Sequence, residues 1–229
     1  MQASLYDLSP LLRVLLVGAL LASGPLLWVL LRHGRGGSSR PVGRFQALTI
    51  ITLFLTFDLV LFGAFTRLTD SGLGCPDWPG CYGSASPLGA HADIASAQQA
   101  MPTGPVTHSK AWIEMVHRYL ATGVGGLILV LALAAWLGRK RPAWGTPNPW
   151  LPTLTLVWVC VQGAFGALTV TMKLFPAIVS LHLLGAYLLL ALLTVQVVRN
   201  GRARAAVVPS WVKPWAVAAL AMLVLQAAS

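Results

Sequence analysis

Six apolar runs dominate this chain, and each is long enough to cross the hydrocarbon core of a bilayer, which is roughly 30 Å thick. The runs cover residues 14–31, 45–65, 112–137, 151–171, 177–198 and 211–229. Hydrophobic residues make up 56% of the sequence and charged residues only 10%, a balance that excludes an ordinary soluble domain. We therefore predict an all-α integral membrane protein with six transmembrane helices.

The net charge of +10 reports on topology rather than on a nucleic-acid partner. Basic residues cluster in the segments 32–44, 139–149 and 199–213, whereas the long segment 67–111 carries only Arg67 and Lys110. These clusters lack the interleaved aromatic residues of a nucleic-acid surface. Because basic loops face the cytoplasm, we expect the amino terminus and the loop 67–111 on the outer side.

The apolar runs divide the chain into three parts. Residues 1–44 form an extra transmembrane anchor and a cytoplasmic loop, since no basic n-region of a signal peptide precedes the first run and a basic cluster follows it, namely Arg32, Arg35, Arg40 and Arg44. Residues 45–198 form a four-helix half built from predicted helices 2 to 5. Its outer loop, 67–111, is expected to be less ordered around 92–104. Residues 199–229 form a cytoplasmic loop and one further helix, with which a truncated second half would begin.

Two histidines lie inside predicted membrane helices at matched depth. His117 and His182 are each about five residues from the outer end of a predicted helix, roughly 7–8 Å deep at 1.5 Å per residue. Ionisable groups at such depth are costly and usually serve a cofactor, an ion path or a substrate. Imidazoles from two helices commonly hold haem iron, and histidine also suits other transition metals. We predict a haem-binding bundle; the alternative is that each histidine only hydrogen-bonds a neighbouring helix.

Glu114 lies three residues before His117, so the two side chains share a helix face. A carboxylate there could orient the imidazole, stabilise a cationic intermediate or move protons. We predict a catalytic role for Glu114. The alternative is an interfacial carboxylate that pairs with Lys110 or Arg118.

The outer loop holds Cys75 and Cys81 in a stretch rich in glycine and proline. Five residues between two cysteines can close a small ring, so a disulfide, an active dithiol and metal ligation all remain open. Cys160 lies within a predicted span, where we expect a small packing residue. Asp58 also lies within a span, and the sequence suggests no partner for it.

Two further patterns carry less weight. His33, His91 and His108 fall outside the predicted spans, and we expect them to be solvated. The segments 63–69 and 163–169 are similar and rich in small residues, which would let helices approach closely. Chance similarity between two membrane helices explains this pattern equally well.

Three motifs, in this order, resemble the haem A synthase family. They are T-R-L-T-x-S-G-L-x-C-P-D-W-P-x-C from Thr66 to Cys81, E-x-x-H-R from Glu114 to Arg118, and Q-G-x-x-G-x-x-T-V from Gln162 to Val170, followed by Pro176 and His182. That family oxidises the C8 methyl group of haem O to a formyl group, giving the haem A of terminal oxidases. It is built from two similar four-helix halves, one for the substrate haem and one for a haem B cofactor.

The resemblance implies a role for each matching residue. Glu114, His117 and His182 match the substrate-haem site of the amino-terminal half. Glu114 would stabilise a charge-deficient intermediate at the haem O methyl group, with water supplying the oxygen, and the histidines would ligate or face the haem iron. Cys75 and Cys81 match loop cysteines whose disulfide assists the reaction without being the oxidant.

The resemblance also implies a haem-modifying oxidoreductase of cytochrome oxidase assembly in a bacterial inner membrane. Its expected partners are haem O, haem O synthase, an electron acceptor and the lipid bilayer, and a homo-oligomer is open. The chain departs from the family pattern in two respects. Its first run is extra, and the second half, with the histidines for haem B, does not follow within the sequence. Inactivity of this chain on its own is therefore an open alternative.

Other functions account for fewer of these residues. A non-enzymatic b-type cytochrome, in which His117 and His182 hold an electron-carrying haem, is the main alternative. A membrane thiol–disulfide oxidoreductase would need a second cysteine pair as a relay, and the sequence has only three cysteines. A transporter would show broken helices and repeated midplane charges, and Asp58 is the single such charge in the sequence.

Overall fold

A computed structural model of the chain describes residues 8–34, 43–139 and 148–200, together with six single positions between 214 and 225. Within the three continuous ranges, six helices follow one another: α1 (Ser9–Gly34), α2 (Arg44–Leu68), α3 (His91–Ala100), α4 (His108–Gly138), α5 (Trp150–Thr171) and α6 (Pro176–Asn200). All except α3 are long and apolar enough to cross a membrane. The prediction of an all-α membrane protein is confirmed. The sixth predicted span, 211–229, lies outside the described residues apart from the single positions.

The membrane helices extend beyond the apolar runs that predicted them. α4 begins at His108 because the Thr107 side chain caps it, its hydroxyl accepting from the backbone N–H of Lys110 at 3.2 Å. α1 continues to Gly34, so His33 belongs to a helix rather than to the predicted loop. Helix ends are set by caps and backbone hydrogen bonds, whereas an apolar run marks only the part that faces lipid or core.

Four helices close into a ring in which each packs against two others. α2 contacts α4, α4 contacts α5, α5 contacts α6, and α6 returns to α2. These are the predicted helices 2 to 5. α1 lies outside the ring and packs mainly against α4, with a smaller contact to α2. Small residues let α1 and α4 approach, namely Gly18 and Ala22 on one helix and Gly123 and Gly126 on the other.

The centre of the ring is packed by α4 and α6. Val124 and Ile128 of α4 form a buried cluster with Leu189 and Leu193 of α6. Because lipid chains are as apolar as leucine, close packing and interhelical hydrogen bonds hold such a bundle together. One such bond joins α6 to α5. The buried side-chain amide of Gln196 donates to the hydroxyl of Thr155 at 2.7 Å.

A folded cap formed by residues 69–107 covers one end of the bundle. The expectation of lower order around 92–104 is wrong, because residues 91–100 form α3. The helix is tied down by Ile94, which is fully buried against Cys75, Cys81 and Met115. The segment is also rich in alanine, the residue with the strongest helix propensity.

Candidate functional site

The two intramembrane histidines occupy the same level on facing helices. His117 is seven residues before Val124 on α4, and His182 is seven residues before Leu189 on α6. Val124 and Leu189 belong to the cluster that packs α4 against α6. Equal spacing from a shared cluster places the two histidines at about the same level, about 10 Å, or two helical turns, from that cluster.

A glycine and an aromatic ring hold the imidazole of His117. A Cβ on Gly63 of α2 would lie 3.1 Å from its Cε1 atom, so glycine at this position makes room for the ring. The Phe62 ring stacks on the imidazole with centroids 6.1 Å apart and an interplanar angle of 7°. Within the described part of the chain, Nδ1 of His117 is buried without a hydrogen-bond partner. The ring is therefore positioned by shape rather than by a hydrogen bond at Nδ1.

A glycine of α5 makes room for the imidazole of His182 in the same way. A Cβ on Gly166 would lie 3.3 Å from its Cε1 atom, whereas one on Gly163 would meet nothing within 4 Å. The similarity of 63–69 with 163–169 therefore correctly indicates close approach at Gly63. On α5, the glycine that makes the contact lies one turn further along.

Gln162 of α5 contacts His182, a role that the sequence did not indicate. Its amide nitrogen donates to the backbone carbonyl of His182 at 2.6 Å and lies 3.1 Å from Nδ1 of the same residue. Its Oε1 atom is buried without a partner among the described residues. A neutral imidazole that ligates a metal through Nε2 carries its proton on Nδ1 and donates it to an acceptor. In this structure the Gln162 amide nitrogen donates toward Nδ1, which places the imidazole proton on Nε2; ligation through Nε2 would require the amide to present its Oε1 atom to Nδ1 instead.

Glu114 is buried, and both of its carboxylate oxygens have partners. Oε2 accepts a hydrogen bond from the backbone N–H of Cys75 at 2.8 Å. Oε1 accepts from the guanidinium of Arg118, one turn along α4. Lys110 pairs instead with Asp70, at 2.9 Å on the exposed edge of the cap. The pairing with Arg118, one of the two alternatives to a catalytic role, is therefore present.

Arg118 joins α4 to the loop that contains the disulfide. Its Nη1 atom donates to the backbone carbonyls of Asp77, Pro79 and Gly80. Backbone carbonyls of a short loop cannot converge in this way unless the loop is compact. The buried ion pair of Glu114 and Arg118 therefore fastens the loop directly above the helix that carries His117.

The loop itself is closed by a disulfide between Cys75 and Cys81, whose Cα atoms are 4.8 Å apart. Inside it, the Asp77 carboxylate accepts from the backbone N–H groups of Tyr82 and Gly83 at 2.6 and 2.7 Å. Burial raises the pKa of the Tyr82 phenol, and the nearby charges of Asp93 and Asp77 raise that pKa further. Of the three states open for these cysteines, the structure has the disulfide.

The remaining titratable candidates lie away from the histidine pair. His91 and His108 begin α3 and α4 and stack on each other with centroids 4.4 Å apart. The expectation that Cys160 is a small packing residue is wrong, because its thiol is exposed on α5. A span can be apolar on every face, so position within it does not reveal which face is buried. No group of three or more His, Cys, Asp or Glu side chains in the described ranges could hold a bare metal ion.

The order and spacing of these residues match a known family. The family model COX15-CtaA, described as a cytochrome oxidase assembly protein, matches residues 46–229. The chain belongs to this family, which is that of the haem A synthases. α1 lies before the matched region, in agreement with its position outside the four-helix ring.

Individual relatives agree with the family match. A protein of Shewanella oneidensis named "Heme A synthase" is 44% identical over 151 residues, which are 66% of this chain and 44% of the relative. One of Bacillus pumilus with the same name is 31% identical over 162 residues, 68% of this chain and 46% of the relative. The chain thus spans less than half the length of these relatives. No solved structure matches the chain significantly.

The histidine pair of this haem A synthase family member fits a haem in its chemistry. Both imidazoles lie on facing helices at one level, and each is backed by a glycine that leaves room for the ring. Nδ1 of His117 is buried and unpaired in the described structure, and the Gln162 amide contacts Nδ1 of His182. His117 and His182 would hold the iron, and Gln162 would orient the second of them.

Gln162→Leu is expected to weaken haem binding by roughly tenfold while leaving the bundle folded. Leucine keeps most of the side-chain volume but removes the amide contact, and loss of such an outer partner costs about 10–100-fold in metal affinity. Absorbance titration of the purified chain with haem measures the change. Gln196→Leu is the matched control, because Gln196 also bonds between α5 and α6 but contacts no histidine. Equal losses in both variants would mean that Gln162 only supports packing.

Proposed function

We propose that this chain forms the substrate-haem half of a haem A synthase. It binds haem O between His117 and His182 and supports the oxidation of the C8 methyl group to a formyl group. The family membership supports the reaction, and the relatives named "Heme A synthase" support its substrate class. The observation that carries the proposal is the equal level of the two histidines on α4 and α6.

The proposed reaction balances with water as the oxygen donor. Conversion of a methyl group and one water to a formyl group releases four protons and four electrons. The electrons pass to an acceptor outside the described residues, of the class of the haem B cofactor that the resemblance places in a second half. A carboxylate near the methyl group would stabilise the positive charge that develops as hydride or electrons leave.

Glu114 is the residue proposed for that electrostatic role. Its carboxylate is held from two sides, by the Cys75 N–H and by Arg118, so it is already oriented before substrate binds. A preorganised charge costs no rearrangement during the reaction. The two hydrogen bonds also explain how a loop disulfide could assist the chemistry without exchanging electrons, because Cys75 is both a disulfide partner and the donor to Glu114.

The proposal is tested by identifying the haem that the chain holds. The full chain is expressed in cells that make haem O and purified, and its haem is examined by the pyridine haemochrome spectrum and by chromatography of the extract. We expect haem O or its oxidised derivatives. Recovery of haem B alone would indicate a b-type cytochrome instead, and a chain without haem would contradict the proposal.

Replacing both Cys75 and Cys81 with serine is expected to reduce turnover several-fold without abolishing it. The loop would remain fastened by Arg118, but the Cys75 N–H would hold Glu114 less firmly. The measurement is haem A yield per bound haem O in a protein that also contains a second half. Cys160→Ser is the control, since that thiol is exposed on α5. Complete loss of turnover would favour an active dithiol.

We also propose that the amino terminus and the cap lie on the outer side of a bacterial inner membrane. The distribution of basic residues supports this orientation. Haem O synthase would supply the substrate from the same membrane. The sidedness is tested by introducing a cysteine in the cap, Ser86→Cys, and labelling intact cells with a membrane-impermeant maleimide. Protection of that cysteine from the reagent would place the cap on the cytoplasmic side.

A further inference from the structure

A cavity of about 380 Å³ lies outside the four-helix ring, between α1, α2 and α4. Apolar side chains of all three helices line it, and the only charged side chain among the lining residues is that of Asp58. Pockets of this size and character are typical of sites for small apolar ligands with one or two polar groups. The cavity is therefore a candidate binding site.

Asp58 is otherwise unexplained. It lies near the middle of a membrane helix, where a carboxylate is costly and usually has a functional reason. Its side chain is exposed, and within the described ranges no hydrogen bond or ion pair engages it. A carboxylate in an apolar cavity is a strong hydrogen-bond acceptor for a donor that enters with a ligand.

The wall of the cavity that α1 contributes contains a proline. Pro25 is inside α1 and has no N–H, so it cannot donate to the carbonyl of Leu21, its partner in a regular helix. Both Leu21 and Pro25 line the cavity. The Asp58 carboxylate is a hydrogen-bond acceptor, which favours a ligand with a hydroxyl donor over one with carbonyl groups alone.

The cavity adjoins the histidine site. Phe62 lines it and also stacks on the His117 ring. Leu120 and Val124, which follow His117 on α4 by about one and two turns, line it as well. Phe62 is therefore shared between the cavity and the surroundings of His117.

We propose that this cavity binds the isoprenoid side chain that distinguishes haem O from haem B. That side chain is long and apolar and carries a hydroxyl group at its base, next to the macrocycle. Asp58 accepts the hydrogen bond of this hydroxyl, and the apolar walls contact the chain. The inference rests on the proposed function. It adds α1, which lies before the matched family region 46–229, to the substrate site.

The experiment compares two haems on the same protein. Full-length chain in lipid nanodiscs is titrated with haem O and with haem B, and the ratio of the two dissociation constants is measured. Asp58→Leu is expected to weaken haem O binding about tenfold, the effect of losing one charge-assisted hydrogen bond, and to leave haem B binding unchanged. Leu120→Trp fills the cavity from a position that is 37% exposed. It is also expected to weaken haem O binding and to leave haem B binding unchanged.

Leu129→Trp is the matched control, because Leu129 is also exposed on α4 but does not line the cavity. Equal weakening of haem O and haem B by Asp58→Leu and Leu120→Trp would overturn the inference, since haem B lacks the side chain. No change for either haem would also overturn it and would leave the cavity to a membrane lipid or a quinol. A wild-type chain that binds neither haem would instead contradict the proposed function.

Discussion

His182→Ala and His117→Ala are each expected to lower haem affinity by more than about 100-fold, because loss of an iron ligand exceeds the roughly 10–100-fold cost of losing an outer partner. The two variants remove rings that lie at one level on facing helices. Haem content after purification, read from the pyridine haemochrome spectrum, measures the effect. Each variant should remain folded, since alanine in place of either ring creates a cavity without stranding a charge.

His91→Ala is the matched control for this pair of variants. His91 is exposed at the start of α3, where its ring packs against that of His108. The His91→Ala variant should retain haem at the wild-type level. If one variant of the pair kept its haem and the other lost it, only one of the two histidines would be a haem ligand. Retention in both would remove His117 and His182 from the haem site.

Glu114→Gln is expected to retain bound haem O while abolishing formyl formation in a protein that contains a second half. Glutamine keeps an oxygen for the Cys75 N–H but loses the charge that would stabilise the oxidised intermediate. Glu114→Ala has a second effect, because it strands the buried Arg118 guanidinium. Breaking a buried ion pair costs about 3–5 kcal/mol. The apparent melting temperature of the alanine variant should therefore fall well below that of the glutamine variant.

The measurements are haem A yield, bound haem and thermal unfolding of the three proteins in one detergent. Asp70→Asn supplies the control, because it removes a carboxylate from the exposed pair with Lys110, and exposed pairs contribute only about 0–1 kcal/mol. Wild-type haem A yield from Glu114→Gln would make the carboxylate structural. Loss of haem together with activity would place Glu114 in haem retention rather than in the chemistry.

Much of the architecture could be predicted from contiguous stretches of sequence. Five of the predicted spans correspond to α1, α2, α4, α5 and α6, because an apolar run of this length has few alternatives in a bilayer. The level of His117 and His182 was also predictable, although α4 begins earlier than its apolar run. Counting from helix ends gave only an approximate depth, and the cluster that Val124 and Leu189 share provides a second reference for it.

The cap could not be predicted in the same way. Its last third has little hydrophobic content, and the sequence therefore suggested lower order, yet Ile94 anchors α3 in a buried cluster. A single apolar residue in a polar, alanine-rich segment carries no periodicity. Its burial depends on the cysteines and on Met115, which are distant in the sequence and come together only when the cap folds.

The sequence by itself determined that the chain crosses a membrane as helices, which residues could serve a haem, and which family it resembles. Tertiary structure alone decided what those residues contact. Glu114 meets Cys75 across 39 positions of sequence, the Gln162 amide reaches Nδ1 of His182 from another helix, and Asp58 faces a cavity completed by α1. Helix formation depends on neighbouring residues, whereas these contacts depend on how helices rotate and pack, which no local pattern specifies.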